Sequence, residues 1–135
     1  MRVRDLVRGA GKIHSSVWAL AEFHGVLHRR IREGSISGEQ ASDLASRFSA
    51  HARDGLWNFV PANEALLRRT GFLMVSAPRD IFVRTADAVH LATAQELGEH
   101  DVWTSDRYML AAAPYFGLIG CSAQVNLRKW IAGRA

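Results

Sequence analysis

The sequence predicts an α/β fold in which a mainly parallel sheet is flanked by helices. Short apolar segments alternate along the chain with longer segments whose apolar residues recur at helical spacing. The chain has 135 residues, of which 48% are hydrophobic, and this is enough for one sizeable core but not for two. We therefore expect a single domain over residues 1–135.

The first half of the chain predicts a strand, two consecutive helices that form an arm, and a second strand. The boundaries come from serine caps, a glycine stop and a proline stop. They predict a strand over Lys12–Ser16, a helix capped by Ser15 or Ser16 and ended by Gly34, a helix from a Ser37/Gln40 capping box to about Gly55, and a strand over Leu56–Val60 that stops at Pro61.

The second half predicts two further helices that alternate with strands, followed by a tail. The expected elements are a helix over about Glu64–Phe72, a break at Pro78, a helix capped by Thr85 and stopped by Gly98, a strand over Val102–Thr104, a short helix opened by Asp106 and ended by Pro114, and a strand over Leu118–Cys121. Residues 1–11 read as the end of a first helix, and residues 122–135 as a C-terminal extension.

Charge and cysteine content limit the function classes. The net charge is +4 and the pI is near 10.0, which is a mild bias toward polyanions such as RNA. The single cysteine, Cys121, cannot form an internal disulfide, which agrees with a reducing compartment. The apolar stretches are too short to cross a bilayer, so we expect a cytoplasmic protein.

Three acidic residues are placed at the starts of predicted elements: Glu22, Asp87 and Asp106. If they converge beyond the carboxyl ends of parallel strands, their oxygens suit Mg²⁺ or Mn²⁺, which can ready water to attack a phosphodiester. Each acid also has a structural interpretation. Asp87 favours its helix dipole, Asp106 caps a helix, and Glu22 lies on a solvated helix face.

Three segments resemble the PIN-domain ribonucleases, especially the VapC-type toxins of bacterial toxin–antitoxin pairs. They are TADAVHLATAQELG around Asp87, VWTSDRYM around Asp106 and HSSVWALAEFHGVL around Glu22. The resemblance covers roughly residues 12–120. It implies a three-layer fold and a metal-dependent endoribonuclease, usually a homodimer, that cuts single-stranded or structured RNA and is inhibited by a cognate antitoxin.

The resemblance also implies roles for individual residues. Asp87 would bind the metal directly, while Glu22 and Asp106 would hold the metal or its waters. Thr104 matches a polar position that supports the site, and Ser16 starts the helix that carries Glu22. A metal-bound hydroxide that attacks phosphorus in line is the expected mechanism.

The sequence departs from the family at its N-terminus. Members normally begin with an apolar strand that ends in an aspartate, and this opening is missing here; Asp5 lies too close to Glu22 to replace it. Fewer carboxylates bind hard cations less tightly, so we expect weak activity. We also expect the neighbouring strands to recruit a replacement strand from the tail or a partner chain, unless the chain belongs to a longer product.

Two further interpretations stay open beside the nuclease. One is a catalytically inactive PIN-like scaffold that binds RNA or an antitoxin; the other is an unrelated α/β binding domain in which three acids coincide. His24 and His28 are four residues apart on one helix, but no third zinc ligand accompanies them. Trp18, Trp57 and Trp103 lie in predicted elements, where we expect core packing rather than base stacking.

Overall fold

The computed structural model describes residues 3–10 and 12–122. In chain order the elements are α1 (Val3–Ala10), β1 (Ile13–Ser16), α2 (Ala19–Arg32), α3 (Gly38–Arg53), β2 (Trp57–Val60), α4 (Glu64–Val75), α5 (Thr85–Glu96), β3 (Asp101–Trp103), α6 (Arg107–Ala112), a 3-10 helix (Ala113–Phe116) and β4 (Ile119–Cys121). No described helix is long and apolar enough to cross a bilayer.

The described residues divide into two compact units. The inserted unit spans Lys12–Pro61, and the main unit takes in the described residues on both sides of that segment. A single domain over residues 1–135 stays a prediction. The predicted C-terminal extension, apart from Ser122, lies outside the described residues.

In the inserted unit, β1 and β2 form a parallel pair. Ile13 lies opposite Trp57, and Ser16 lies opposite Val60. The helices α2 and α3 follow one another between these strands and contact each other, as the predicted arm requires. Both predicted strands and their parallel direction are confirmed, with each strand beginning one residue later than expected.

The start of α3 confirms the predicted capping box. The Gln40 backbone N–H donates to Ser37 Oγ at 3.0 Å, and the Ser37 N–H donates to Gln40 Oε1 at 2.8 Å. These two bonds satisfy donors that the first turn of a helix otherwise leaves unpaired. The preceding helix ends near Gly34, whose φ of 75° lies in the left-handed region that glycine adopts without strain.

The predicted serine cap of α2 is wrong. The helix begins at Ala19, and its N-cap residue is Trp18, which makes no side-chain capping bond. Ser16 instead accepts a hydrogen bond from the Trp18 N–H at 3.2 Å. A turn at residues 17–18 therefore separates the strand from the helix, so the serine hydroxyl stabilises the turn rather than the helix end.

Aromatic contacts hold the inserted unit together. The rings of Phe23 on α2 and Phe48 on α3 stack with centroids 4.3 Å apart. Phe48 also meets Phe59 on β2, and Phe59 stacks on Trp57 of the same strand. Leu27 is buried beside these half-buried rings, which join both helices to the strand pair.

The main unit has a continuous apolar core. Phe116, Leu66 and Leu91 are its largest fully buried apolar side chains. Ala88 and Ala92 on α5 have no exposed surface, so neighbouring segments can approach that helix closely. The helix packs against α4, α6 and the 3-10 helix.

The strands of the main unit also run parallel. Asp101 of β3 pairs with Ile119 of β4, and Trp103 pairs with Cys121. Next to them, a Cβ placed on Gly120 would meet three atoms of Leu110 at 3.0–3.2 Å, so this position has no room for a side chain. The predicted mainly parallel arrangement is confirmed, and among the described residues it consists of two separate two-stranded sheets.

One predicted helix start in the main unit differs from the structure. Arg84, not Thr85, is the N-cap residue of α5, because the helix starts one residue earlier than the pattern suggested. The predicted end of the helix that Asp106 opens is confirmed, because α6 stops at Ala112 and its C-cap residue, Ala113, comes directly before Pro114. Pro114 lies inside the 3-10 helix, where a proline near the start costs no hydrogen bond, and that helix ends at Gly117 with φ of 73°.

Candidate functional site

Asp106 lies between β3 and α6 and is fixed at the start of the helix. Its Oδ1 accepts hydrogen bonds from the backbone N–H groups of Tyr108 at 2.8 Å and Met109 at 3.1 Å. These bonds make it the N-cap residue, as its structural interpretation predicted. Because the cap engages Oδ1, Oδ2 is the oxygen that could contact a ligand.

Thr104 supports Asp106 from the end of the strand. Its Oγ1 accepts a hydrogen bond from the Asp106 backbone N–H at 3.1 Å. The Thr104 N–H in turn donates to the Cys121 carbonyl at 2.9 Å, which continues the β3–β4 pairing by one residue. The half-buried carboxylate is therefore tied both to the sheet and to the helix that follows.

Asp87 occupies the first turn of α5 and is half-buried. A carboxylate at this position interacts favourably with the N-terminal end of the helix dipole, by about 0.5 kcal/mol. The next residue, Ala88, is fully buried, so this turn of the helix is anchored in the core. Asp87 therefore lies at the margin between the core and the surface.

The starts of α5 and α6 belong to one neighbourhood of the main unit. The ring of Phe82, three residues before α5, lies with its centroid 4.8 Å from that of Tyr108 in the first turn of α6. The two helices also contact each other directly. The structure thus places the loop that precedes the Asp87 helix against the first turn of the helix that follows Asp106.

Glu22 and Ser16 belong to the inserted unit. Glu22 lies in the first turn of α2, where its backbone N–H donates to the Trp18 carbonyl at 3.1 Å, and its side chain is half-buried. Ser16 is almost completely buried at the end of β1. The convergence of Glu22 with Asp87 and Asp106 stays a prediction.

Carboxylates are the right type of ligand for a hard divalent cation, but the described residues do not bring enough of them together. Oxygen ligands are what Mg²⁺ and Mn²⁺ prefer, and the carboxylates of Asp87 in the first turn of α5 and Asp106 at the N-cap of α6 are of this type. Within residues 3–10 and 12–122, however, no group of three or more His, Cys, Asp or Glu side chains is arranged to hold a metal ion. The described residues do not amount to a complete metal site.

The structure also places at the surface aromatic residues that the sequence either assigned to the core or did not single out. Trp18 and Trp103 were predicted to pack in the core, and both are exposed, at 46% and 39%. Phe82 and Tyr108 form a ring pair at the surface beside Asp106. The dipeptide Arg107–Tyr108 directly after the acid was the available signal, since a cation and an aromatic ring often occur together in RNA-binding surfaces.

Comparison with known proteins gives one match. The model of the PIN domain family matches residues 1–113, which is most of the chain. No curated protein and no solved structure matches at a significant level. The parallel strands alternating with helices, and the acid that follows β3, agree with that match. The chain therefore belongs to the PIN-domain family, whose members are generally nucleases.

Proposed function

We propose that this protein is a metal-dependent endoribonuclease, of weak activity, that uses Mg²⁺ or Mn²⁺. The observation that supports the proposal is the fixing of Asp106 by its capping bonds and by Thr104, at the start of a helix that contacts the helix bearing Asp87. Preorganised carboxylates at such a position are what phosphodiester hydrolysis requires for holding a cation. Membership of the PIN family adds support.

The proposed roles follow from the positions of the side chains. Asp87 and Asp106 would provide the carboxylate oxygens, and Glu22 is proposed as the third acid because of the family resemblance. Thr104 acts as a positioning residue through the Asp106 backbone N–H. Ser16 holds the turn before α2, the helix whose first turn carries Glu22.

A second candidate function is a scaffold that binds RNA or an antitoxin without cutting. One observation favours it: no three-acid group that could hold a metal occurs among the described residues. The capping bonds of Asp106 also provide a structural reason for that aspartate which needs no catalysis. Both candidates use the same surface of the main unit, so a cleavage assay with matched variants separates them.

Cleavage of single-stranded RNA in Mn²⁺ or Mg²⁺ tests the enzyme, with denaturing gels as the readout. Asp106→Asn is the sharpest variant, because asparagine caps a helix as well as aspartate and removes only the charge. Asp87→Asn and Glu22→Gln test the other acids. Asp80→Asn, at an exposed position of the loop before α5, is the matched control.

If the protein is a nuclease, we expect the wild type and Asp80→Asn to cleave RNA. The cleavage rate of Asp87→Asn and of Asp106→Asn should be at least tenfold lower. If Asp87→Asn and Asp106→Asn both cleave RNA as fast as the wild type, neither residue belongs to the active site. If the wild type fails to cut while calorimetry detects no Mn²⁺ binding, the scaffold is the better description.

We further propose that the protein is the VapC-type toxin half of a toxin–antitoxin pair, acting in the cytoplasm as a homodimer. Induced expression should then arrest bacterial growth, and Asp87→Asn should relieve the arrest. Analytical ultracentrifugation of the purified chain tests the dimer. Growth that is unaffected by the wild type at verified expression levels argues against the toxin role.

A further inference from the structure

Phe82, Tyr108 and Arg107 form a continuous surface cluster in the main unit. The Phe82 and Tyr108 ring centroids lie 4.8 Å apart with their planes inclined at 64°. The Arg107 guanidinium carbon lies 4.7 Å from the Tyr108 ring centroid, and its Nη2 donates to the Tyr108 hydroxyl at 2.8 Å. Two aromatic rings and a planar cation therefore share one small area.

Phe82 is 56% exposed although it is a large apolar side chain. Its immediate neighbours Ile81 and Val83 pack against the core, and the exposed residues next to them in the chain are charged: Arg79, Asp80 and Arg84. None of the ion pairs in the described part of the chain includes Arg79, Arg84 or Arg107. The exposed ring thus lies in a stretch of chain whose exposed charges include two arginines outside those ion pairs.

The helix α4 provides an instructive contrast. Phe72 and Val75 are three residues apart on it and are 70% and 89% exposed. Among the described residues, Phe72 makes no ring contact and no cation lies over its ring. Within the described part of the chain, no aromatic or cationic partner fixes the orientation of the Phe72 ring. The Phe82 ring, in contrast, is inclined at 64° to the ring of Tyr108.

The cluster is fixed relative to the candidate acid. Asp106 Oδ1 accepts a hydrogen bond from the Tyr108 backbone N–H, so the residue that carries the ring is tied to the carboxylate. Phe82 lies three residues before α5, the helix whose first turn holds Asp87. An aromatic surface thus lies beside Asp106, and it includes a residue of the loop that leads into the helix bearing Asp87.

We propose that Phe82, supported by Tyr108 and Arg107, is a stacking platform for one base of single-stranded RNA beside Asp106. This inference rests on the proposed RNA-directed function and names the residues that hold the substrate. Every base has a π face, so stacking on a ring binds single strands with little sequence preference. Arg107 adds a cation–π contact and, with Arg84, a cation that can meet a phosphate.

The observations favour RNA over a protein partner at this position. An amphipathic partner helix needs a row of apolar anchors, whereas the other exposed positions of residues 79–84 are Arg79, Asp80 and Arg84. Arginines outside ion pairs match the phosphates that accompany every stacked base.

Fluorescence anisotropy with a short labelled oligoadenylate, measured in EDTA so that no cleavage occurs, tests the platform. Phe82→Ala should raise the Kd on the order of tenfold, because one stacked base is lost. Phe82→Trp should restore binding, since tryptophan stacks at least as well. Phe72→Ala is the matched control, removing a phenylalanine that is also largely exposed from α4 of the same unit, and should leave the Kd unchanged.

Duplex RNA of the same sequence forms the second arm. Its bases are already stacked, so Phe82→Ala should leave duplex binding unaffected. Equal Kd values for Phe82→Ala and Phe72→Ala with the single strand overturn the platform, even if Asp87→Asn still abolishes cleavage. Absence of any RNA binding by the wild type overturns both the platform and the RNA-directed function. Thermal melting confirms that each variant is folded.

Discussion

The two units of the chain bury their side chains in different ways. The main unit surrounds Phe116 with fully buried leucine and alanine side chains from several helices. In the inserted unit the buried apolar side chains are Leu27 and Ala41, and stacked aromatic rings that are only half-buried provide most of the packing. Burial of apolar area is the dominant source of stability, so we expect the main unit to be the more stable of the two.

This difference matters for the candidate site. Asp87 and Asp106 lie on helices of the well-packed unit, while Glu22 lies in the first turn of a helix with little burial. Precise geometry is easier to maintain on rigid elements than on loosely packed ones. The two aspartates are therefore better placed to hold a fixed arrangement than the glutamate is.

The largest expected effect is that of Phe116→Ala. The side chain is fully buried, so its removal leaves a cavity, and the free energy of unfolding should fall by about 4 kcal/mol. Urea denaturation followed by circular dichroism measures the loss. Phe72→Ala, at a largely exposed position, should change stability by less than about 0.5 kcal/mol. Similar losses in the two variants would contradict the assigned core.

Phe48→Ala tests the inserted unit. The ring stacks on Phe23 and touches Phe59, but it is only half-buried, so we expect a loss of about 2 kcal/mol. Phe48→Leu keeps the apolar volume and removes the stacking, and it should cost roughly half as much. A loss greater than that of Phe116→Ala, in the same denaturation experiment, would reverse the proposed order of the units.

Ser37→Ala probes local stabilisation within the inserted unit. It removes the acceptor for the Gln40 backbone N–H and should cost about 1 kcal/mol. Ser42→Ala, at an exposed position on the same helix, removes a hydroxyl without a capping role and serves as the control. If both variants melt at the temperature of the wild type, the capping box contributes little to α3.

The smallest effect concerns Cys121 at the end of β4. Partial burial raises the pKa of the thiol above its ordinary value of 9.0, and the nearby Asp101 carboxylate adds to the rise. Because the pKa of the thiol is raised in the folded state, the contribution of this group to the stability of the fold is fully present below pH 9.0. That contribution is lost as the pH rises through the pKa of the folded state. Alkylation by iodoacetamide at pH 8 should be slower than in the urea-unfolded chain, and Asp101→Asn should speed it slightly. Equal rates in the folded and unfolded chain would contradict the shift.

Local sequence patterns predicted the elements well because their causes are local. The Ser37/Gln40 capping box and the Asp106 cap are confirmed, since each depends on residues within one helical turn. The Thr85 cap was wrong by one residue, which is the usual uncertainty of a helix end. Parallel strand direction also followed from the helices between strands.

Long-range features were predicted less well. Trp18 and Trp103 were expected in the core but are exposed, because burial depends on which elements meet and not on residue type alone. The division of the strands into two separate pairs was not predicted for the same reason, since it too depends on which elements meet. For the site, the pattern identified Asp106 and Thr104, which the structure places in contact, while the Phe82–Tyr108 pair joins residues far apart in sequence.

The β3–β4 pair has a consequence for solvent access to the backbone. The N–H of Thr104 donates to β4, so by the alternation of a strand the N–H of Val102 faces β4 and that of Trp103 points away from it. Deuterium uptake should therefore be slow at Val102 and fast at Trp103. The same outward-facing groups make β3 an edge to which another extended segment can be added.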